Sequence, residues 1–138
     1  MSRWTCPNCE RGFARAQQAH VCVPGGTVDE SFDGRPPVQR DIYDELLAHL
    51  RESGPVHEDA VQVGVFLSSD RKLAEVRPQA RALSLMLFLP RVVEHPRIAR
   101  RIEVSVDRTV HVVKLVAVAD VDADVRAWLT EAYAAATT

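Results

Sequence analysis

The sequence predicts an α+β fold, in which a five-stranded, mainly antiparallel sheet carries two helices on one face and follows a small N-terminal module. Two observations support this prediction. Helical periodicity occurs at residues 38–53 and again near the C-terminus, and strand-like segments lie between the two. The links between these strands are only a few residues long, which requires antiparallel neighbours. We expect two layers, because each amphipathic helix must bury its apolar stripe against the sheet.

The two predicted helices have clear boundaries. Pro36-Pro37 suits the start of the first helix, and Gly54-Pro55 ends it. Its apolar stripe comprises Val38, Ile42, Tyr43, Leu46, Leu47 and Leu50. The last helix can be capped by Asp120 or Asp122, since an aspartate oxygen accepts from the free N–H groups of the first turn. Its stripe comprises Val125, Trp128, Leu129, Ala132 and Tyr133.

The predicted strands are residues 61–67, 72–77, 83–89, 102–106 and 110–118. The third strand is apolar on both faces, so we expect it to be central in the sheet. Asp107-Arg108 is a candidate hairpin turn. Residues 91–101 are rich in arginine and are predicted to be a basic connector between the third and fourth strands.

Four potential metal ligands lie close together near the N-terminus, and they include all three cysteines of the chain: Cys6, Cys9, His20 and Cys22. Two closely spaced pairs of thiolate and imidazole ligands are typical of tetrahedral zinc. Four protein ligands leave no open position, so the predicted Zn²⁺ is structural. Ordinary buried thiols, or a disulfide plus one free thiol, are the alternative. An odd cysteine count without an apolar signal region argues against a disulfide framework and favours a reducing cytoplasm.

These features predict three segments: a zinc knuckle at residues 1–23, a linker at 24–37 and the α+β domain at 38–138. No apolar run is long enough to span a bilayer, so no membrane partner is expected. The net charge is −2, but residues 71–114 carry ten basic and four acidic groups. Such a block can face nucleic acid or another anion, or it can neutralise the acidic segments around it.

The sequence also resembles known bacterial proteins. The pattern Trp4-x-Cys6-Pro7-x-Cys9-x-Arg11-x-Phe13, continued by Gln18-x-His20-x-Cys22, resembles a zinc-knuckle prefix. The remainder resembles an uncharacterised α+β domain of unknown function. The matching pieces are Phe32-x-Gly34, Gly54-Pro55-Val56, Ala74-x-Val76-x-Pro78 with Leu83-x-Leu85, His111-x-Val113, and Trp128-Leu129-x-x-Ala132-Tyr133. The resemblance implies no agreed activity, although relatives occur fused to proteins labelled as transport- or restriction-related.

No phosphate-binding glycine loop or nucleophile motif is recognisable, so the sequence favours a non-catalytic binding module. We expect it to dock nucleic acid or a protein partner through the knuckle and a basic sheet edge. The candidate contacts are Arg77, Arg97, Arg100, Arg101 and His111. The basic connector lacks the interleaved aromatic residues that single-strand binding usually needs. The alternative is a small enzyme or small-ligand domain that uses the open sheet face near Arg77 and His111.

Overall fold

The structure is a computed structural model that describes residues 27–137, together with the backbone of residues 4–5 and 12–13. Near the N-terminus, two short strands pair with each other antiparallel: β1 (Trp4–Thr5) and β2 (Gly12–Phe13). The main domain follows in the order α1 (Val28–Ser31), α2 (Pro37–Ser53), β3 (His57–Val61), β4 (Gly64–Ser68), β5 (Lys72–Pro78), β6 (Leu83–Leu89), β7 (Ile98–Ser105), β8 (Arg108–Leu115) and α3 (Ala123–Ala136). A 3-10 turn at Val118–Asp120 precedes α3.

The main sheet is antiparallel and has six strands, in the order β3-β4-β5-β6-β8-β7. The predicted central position of residues 83–89 is confirmed, because β6 has two strands or more on each side. The predicted number of five strands is wrong. Residues 61–67 do not form one strand; they contain the turn of a hairpin between β3 and β4. β3 was not predicted because this strand begins with His57, Glu58 and Asp59, which are polar and show no strand pattern.

Gly64 explains why this hairpin can join the sheet. A Cβ atom at this position would overlap the carbonyl oxygen of Val76 on β5. Glycine therefore allows the start of β4 to approach the neighbouring strand closely, as glycine in a strand often does.

The basic connector is also shorter than predicted. β7 begins at Ile98, so Arg100 and Arg101 belong to a strand. β7 is an edge strand, and its side chains are mostly exposed on both faces. Charged residues on such an edge hinder pairing with other chains, and they remove the hydrophobic alternation by which a strand is recognised.

α2 and α3 pack against each other and share one hydrophobic core with one face of the sheet. Both predicted stripes are confirmed, since their central residues are buried in this core. Asp122 is the N-cap of α3, and its Oδ1 accepts a hydrogen bond from the N–H of Val125 at 3.0 Å. Within the segment predicted as a linker, Phe32 packs on Tyr43 of α2, with ring centroids 5.2 Å apart. Across residues 27–137, no helix has the length and apolar character needed to cross a membrane.

Candidate binding face of the sheet

The second face of the sheet points away from α2 and α3. Strand alternation places one side chain from each strand in a row across it, and the register defines the central row as Asp59, Phe66, Glu75, Met86, Val112 and Arg100. We call this surface the open face. Its other residues include Lys72, Arg77, Ser84, Phe88, Ile102, Arg108, Val110 and Lys114. None of the apolar residues in these two sets belongs to the core that the helices share, although Val110 and Val112 are themselves only 5% and 8% exposed.

Two phenylalanine rings lie near the centre of the open face, and both are only partly buried. Phe66 is on β4 and Phe88 on β6. The Nζ atom of Lys72 lies 4.2 Å from the Phe66 ring centroid and 5.2 Å from that of Phe88. The guanidinium carbon of Arg108 lies 4.5 Å from the Phe88 centroid. Cations over aromatic rings are attracted by the electron-rich ring face, so each ring is paired with positive charge.

Glu75 holds two of the cations of the open face in place. The residue is only 8% exposed, although it lies on this face of the sheet. One carboxylate oxygen accepts from Lys72 Nζ at 2.6 Å, and the other accepts from Arg77 Nη2 at 2.9 Å. A carboxylate withdrawn from water is costly unless it is paired, and here two cations offset it. This arrangement fixes the positions of the two cations.

The open face is more basic than the helical layer. It carries five cations, Lys72, Arg77, Arg100, Arg108 and Lys114, and two carboxylates, those of Asp59 and Glu75. By contrast, α2 carries four acidic residues and only two arginines. Half of the ten basic residues of the central sequence block therefore lie on this one face of the sheet, where cations outnumber carboxylates.

The five predicted contact residues do not form one surface. Arg77 and Arg100 lie on the open face, whereas Arg101 and His111 are cross-strand partners on the helix-facing side. Arg97 donates to Asp122 and to the carbonyl oxygen of Asp120, at 2.9 Å for the latter, so it braces the start of α3. Arg77 and His111 lie on opposite faces, and the alternative site that combined them does not form.

His111 is a core residue with both ring nitrogens in use. It is 0% exposed, its Nε2 accepts from the N–H of Val93 at 2.9 Å, and its Nδ1 lies 3.1 Å from the carbonyl oxygen of Thr109. These partners require a neutral ring that donates from Nδ1. Burial lowers the pKa of His111, and the nearby guanidinium of Arg101 acts in the same direction.

The four predicted zinc ligands, Cys6, Cys9, His20 and Cys22, lie outside the described residues. Elsewhere, in the stretch from 27 to 137, no group of three or more His, Cys, Asp or Glu side chains could hold a metal ion.

The sequence contained a signal for the aromatic centre that the prediction did not use. Phe66 and Phe88 occupy strand positions that alternate with the buried leucines, such as Leu67 and Leu87. Large aromatic residues on the face opposite a leucine row indicate a surface that is either covered or used for binding.

Comparisons with known proteins leave the function open. No curated protein matches the chain, and no solved structure matches it. The sequence model of one family, described as "Domain of unknown function (DUF5655)", matches residues 28–136. This match begins at α1 and ends with α3, so it spans the whole sheet and its helices. The chain therefore belongs to the DUF5655 family, whose members share a domain of unknown function.

Proposed function

We propose that the protein is a non-catalytic module that binds single-stranded nucleic acid on the open face and carries a structural zinc knuckle at its N-terminus. The observation that carries the proposal is the pair of partly exposed rings, Phe66 and Phe88, with Lys72 and Arg108 beside them. Proteins that bind single strands combine aromatic platforms for the bases with cations for the backbone. Phe66 and Phe88 supply the aromatic groups that the basic connector lacks.

The geometry suits unpaired bases better than a duplex. A base inside a duplex is already stacked on its neighbours, whereas an unpaired base has a free face for a phenylalanine ring. Lys72 lies over both rings and is bound to Glu75. A phosphate group would compete with Glu75 for the ammonium group, so binding would move Lys72 from the rings to the backbone and leave the ring faces for bases.

The zinc knuckle rests on the chemistry and the sequence spacing of the four ligands. Cys6 and Cys9 are separated by two residues, and so are closely spaced in the chain. Two such thiolates would supply half of a tetrahedral site, and His20 with Cys22 would complete it. Thiolates that bind zinc must stay reduced, which is the basis for proposing a cytoplasmic location.

Fluorescence anisotropy with labelled single-stranded RNA and DNA tests the proposal. We expect binding that weakens steeply between low and high salt, and weaker binding to a duplex of the same sequence. Phe88→Leu should lower the affinity roughly tenfold, because it removes a stacking surface but keeps the side chain apolar. The zinc content of the same preparation should be one ion per chain, and Cys6→Ser should lose it.

The matched control is Phe32→Leu, which changes a partly buried phenylalanine on the helical side. It should leave the affinity for single strands unchanged. The proposal is wrong if no strand binds at low salt, and a protein partner then becomes the better hypothesis. Equal losses for Phe88→Leu and Phe32→Leu would show that the rings of the open face are not the platform.

A further inference from the structure

One end of the open face continues into a cavity of about 420 Å³. The start of β5, the end of β6, the β7–β8 hairpin and the end of α3 form its walls. The lining residues that matter here are Arg71, Lys72, Phe88, Asp107, Arg108 and Glu131. The cavity has a volume typical of small-ligand sites, and it shares Lys72, Phe88 and Arg108 with the open face.

Two arginines in this cavity are held by backbone groups. The Nη2 of Arg71 donates to the carbonyl oxygen of Ala135 at 2.7 Å, and the backbone N–H of Arg71 donates to that of Ala136 at 3.0 Å. The Nη2 of Arg108 donates to the carbonyl oxygen of Lys72. A guanidinium has five N–H groups, so each arginine keeps donors for a ligand. Burial lowers the pKa of Arg108, and so does the charge of Arg71, because two like charges are held near each other.

The carboxylates of the cavity are already engaged. Glu131 accepts from both Nε and Nη2 of Arg91, at 3.0 and 2.9 Å. Asp107 accepts from the hydroxyl of Ser105 at 2.9 Å. Within the described part of the chain, neither Arg71 nor Arg108 forms an ion pair with a carboxylate. The cavity therefore presents two guanidinium groups that form no ion pair with a described carboxylate, although the charge of the neighbouring Asp107 acts on Arg108.

We propose, on the basis of the function proposed above, that this cavity binds the terminal phosphate of the strand, with the terminal base against Phe88. A terminal phosphate monoester carries nearly two negative charges near neutral pH, whereas each internal phosphodiester carries one. Two neighbouring guanidiniums match the monoester, since each can donate two parallel hydrogen bonds to phosphate oxygens. Phe88 lies beside Arg108, so the base and the phosphate of one nucleotide can be held together.

The test compares single strands of one sequence that end in hydroxyl groups, in a 5′-phosphate or in a 3′-phosphate. We expect about tenfold tighter binding of one phosphorylated strand, and the arm that shows it identifies the end that is held. Arg71→Gln should abolish this preference and leave the affinity for the hydroxyl-ended strand unchanged, because Arg71 lies outside the open face. Arg71→Lys should restore part of the preference. Arg81→Gln, which changes an exposed arginine in the β5–β6 loop, is the control and should keep all of it.

The outcomes separate the two proposals. Equal binding of all three strands overturns the phosphate site and leaves the open-face function standing. Binding of a nucleoside monophosphate but of no strand would support the cavity and overturn the open-face function. If Arg71→Gln lowers the melting temperature, the site is tested on the wild-type protein instead, by comparing its affinity for a nucleoside monophosphate with that for the nucleoside. The monophosphate must bind at least about tenfold more tightly, and equal binding overturns the site.

Discussion

The two faces of the sheet are made by the same strands, yet they differ in almost every property. Leu85 points towards the helices and is 0% exposed, whereas its neighbour Met86 points the other way and is partly exposed. The helix-facing side of β6 is a row of four leucines. The open side carries serine, methionine and phenylalanine, with cations around them. Strand alternation thus gives the same strands one face that builds the core shared with the helices and one face of mixed polar, aromatic and charged character.

The two faces also differ in how their buried polar groups are paired. On the helix-facing side, His111 is neutral and both of its ring nitrogens have backbone partners. On the open face, the Glu75 carboxylate is held by two cations that water can reach. A polar group in the core must find its partners within the protein, whereas a charged group near the surface can also be solvated by water.

The largest expected difference between the two faces is the loss of stability when Leu85 or its neighbour Met86 is truncated. Leu85→Ala should lower the free energy of unfolding by about 2–5 kcal/mol, because it leaves a cavity in the packed core. Met86→Ala should cost about 1 kcal/mol, because its side chain is only partly removed from water. Urea denaturation followed by circular dichroism measures both. Comparable losses for the two variants would contradict the comparison, since they would mean that another part of the chain packs against the open face.

A smaller effect concerns the pH dependence of stability. The pKa of His111 is lowered below its ordinary value of 6.5 in the folded protein, so the unfolded chain binds the proton more readily. Its contribution is fully present above about pH 6.5 and is lost as the pH falls from there towards the folded pKa. We expect His111→Gln to flatten the decrease in unfolding free energy on acidification from pH 7. Parallel pH curves for the two proteins would show that His111 is not held neutral.

The smallest effect on stability is expected for the adjacent residues Arg100 and Arg101. Each change to glutamine should alter the free energy of unfolding by less than about 0.5 kcal/mol, because both side chains are exposed on an edge strand. Their effects on binding should differ. Arg100→Gln removes a cation from the open face and should weaken single-strand binding several-fold, whereas Arg101→Gln should not. Equal weakening in the anisotropy assay would place the ligand at the sheet edge and not on the open face.

The prediction from sequence succeeded where a pattern is local and repeated. The stripes of α2 and α3 and the central position of β6 follow from periodicity within one segment. β3 was missed because its polar residues show no pattern and because the alternation around Val61 continues through the hairpin turn. The faces of the β7 arginines were not predictable, because a bulge between Ile98 and Arg100 changes the alternation of that strand.

By itself, the sequence determined the fold class, the two main helices, most of the strands and the uneven distribution of charge. Each of these depends on residues near one another in the chain. The tertiary structure decided which of the predicted contact residues share a surface: it placed Arg77 and Arg100 on the open face, and Arg101 and His111 on the other. It also brought Phe66, Lys72 and Phe88 together from three strands. Strand register fixes such neighbours, and it is set by pairing between segments that are distant in sequence.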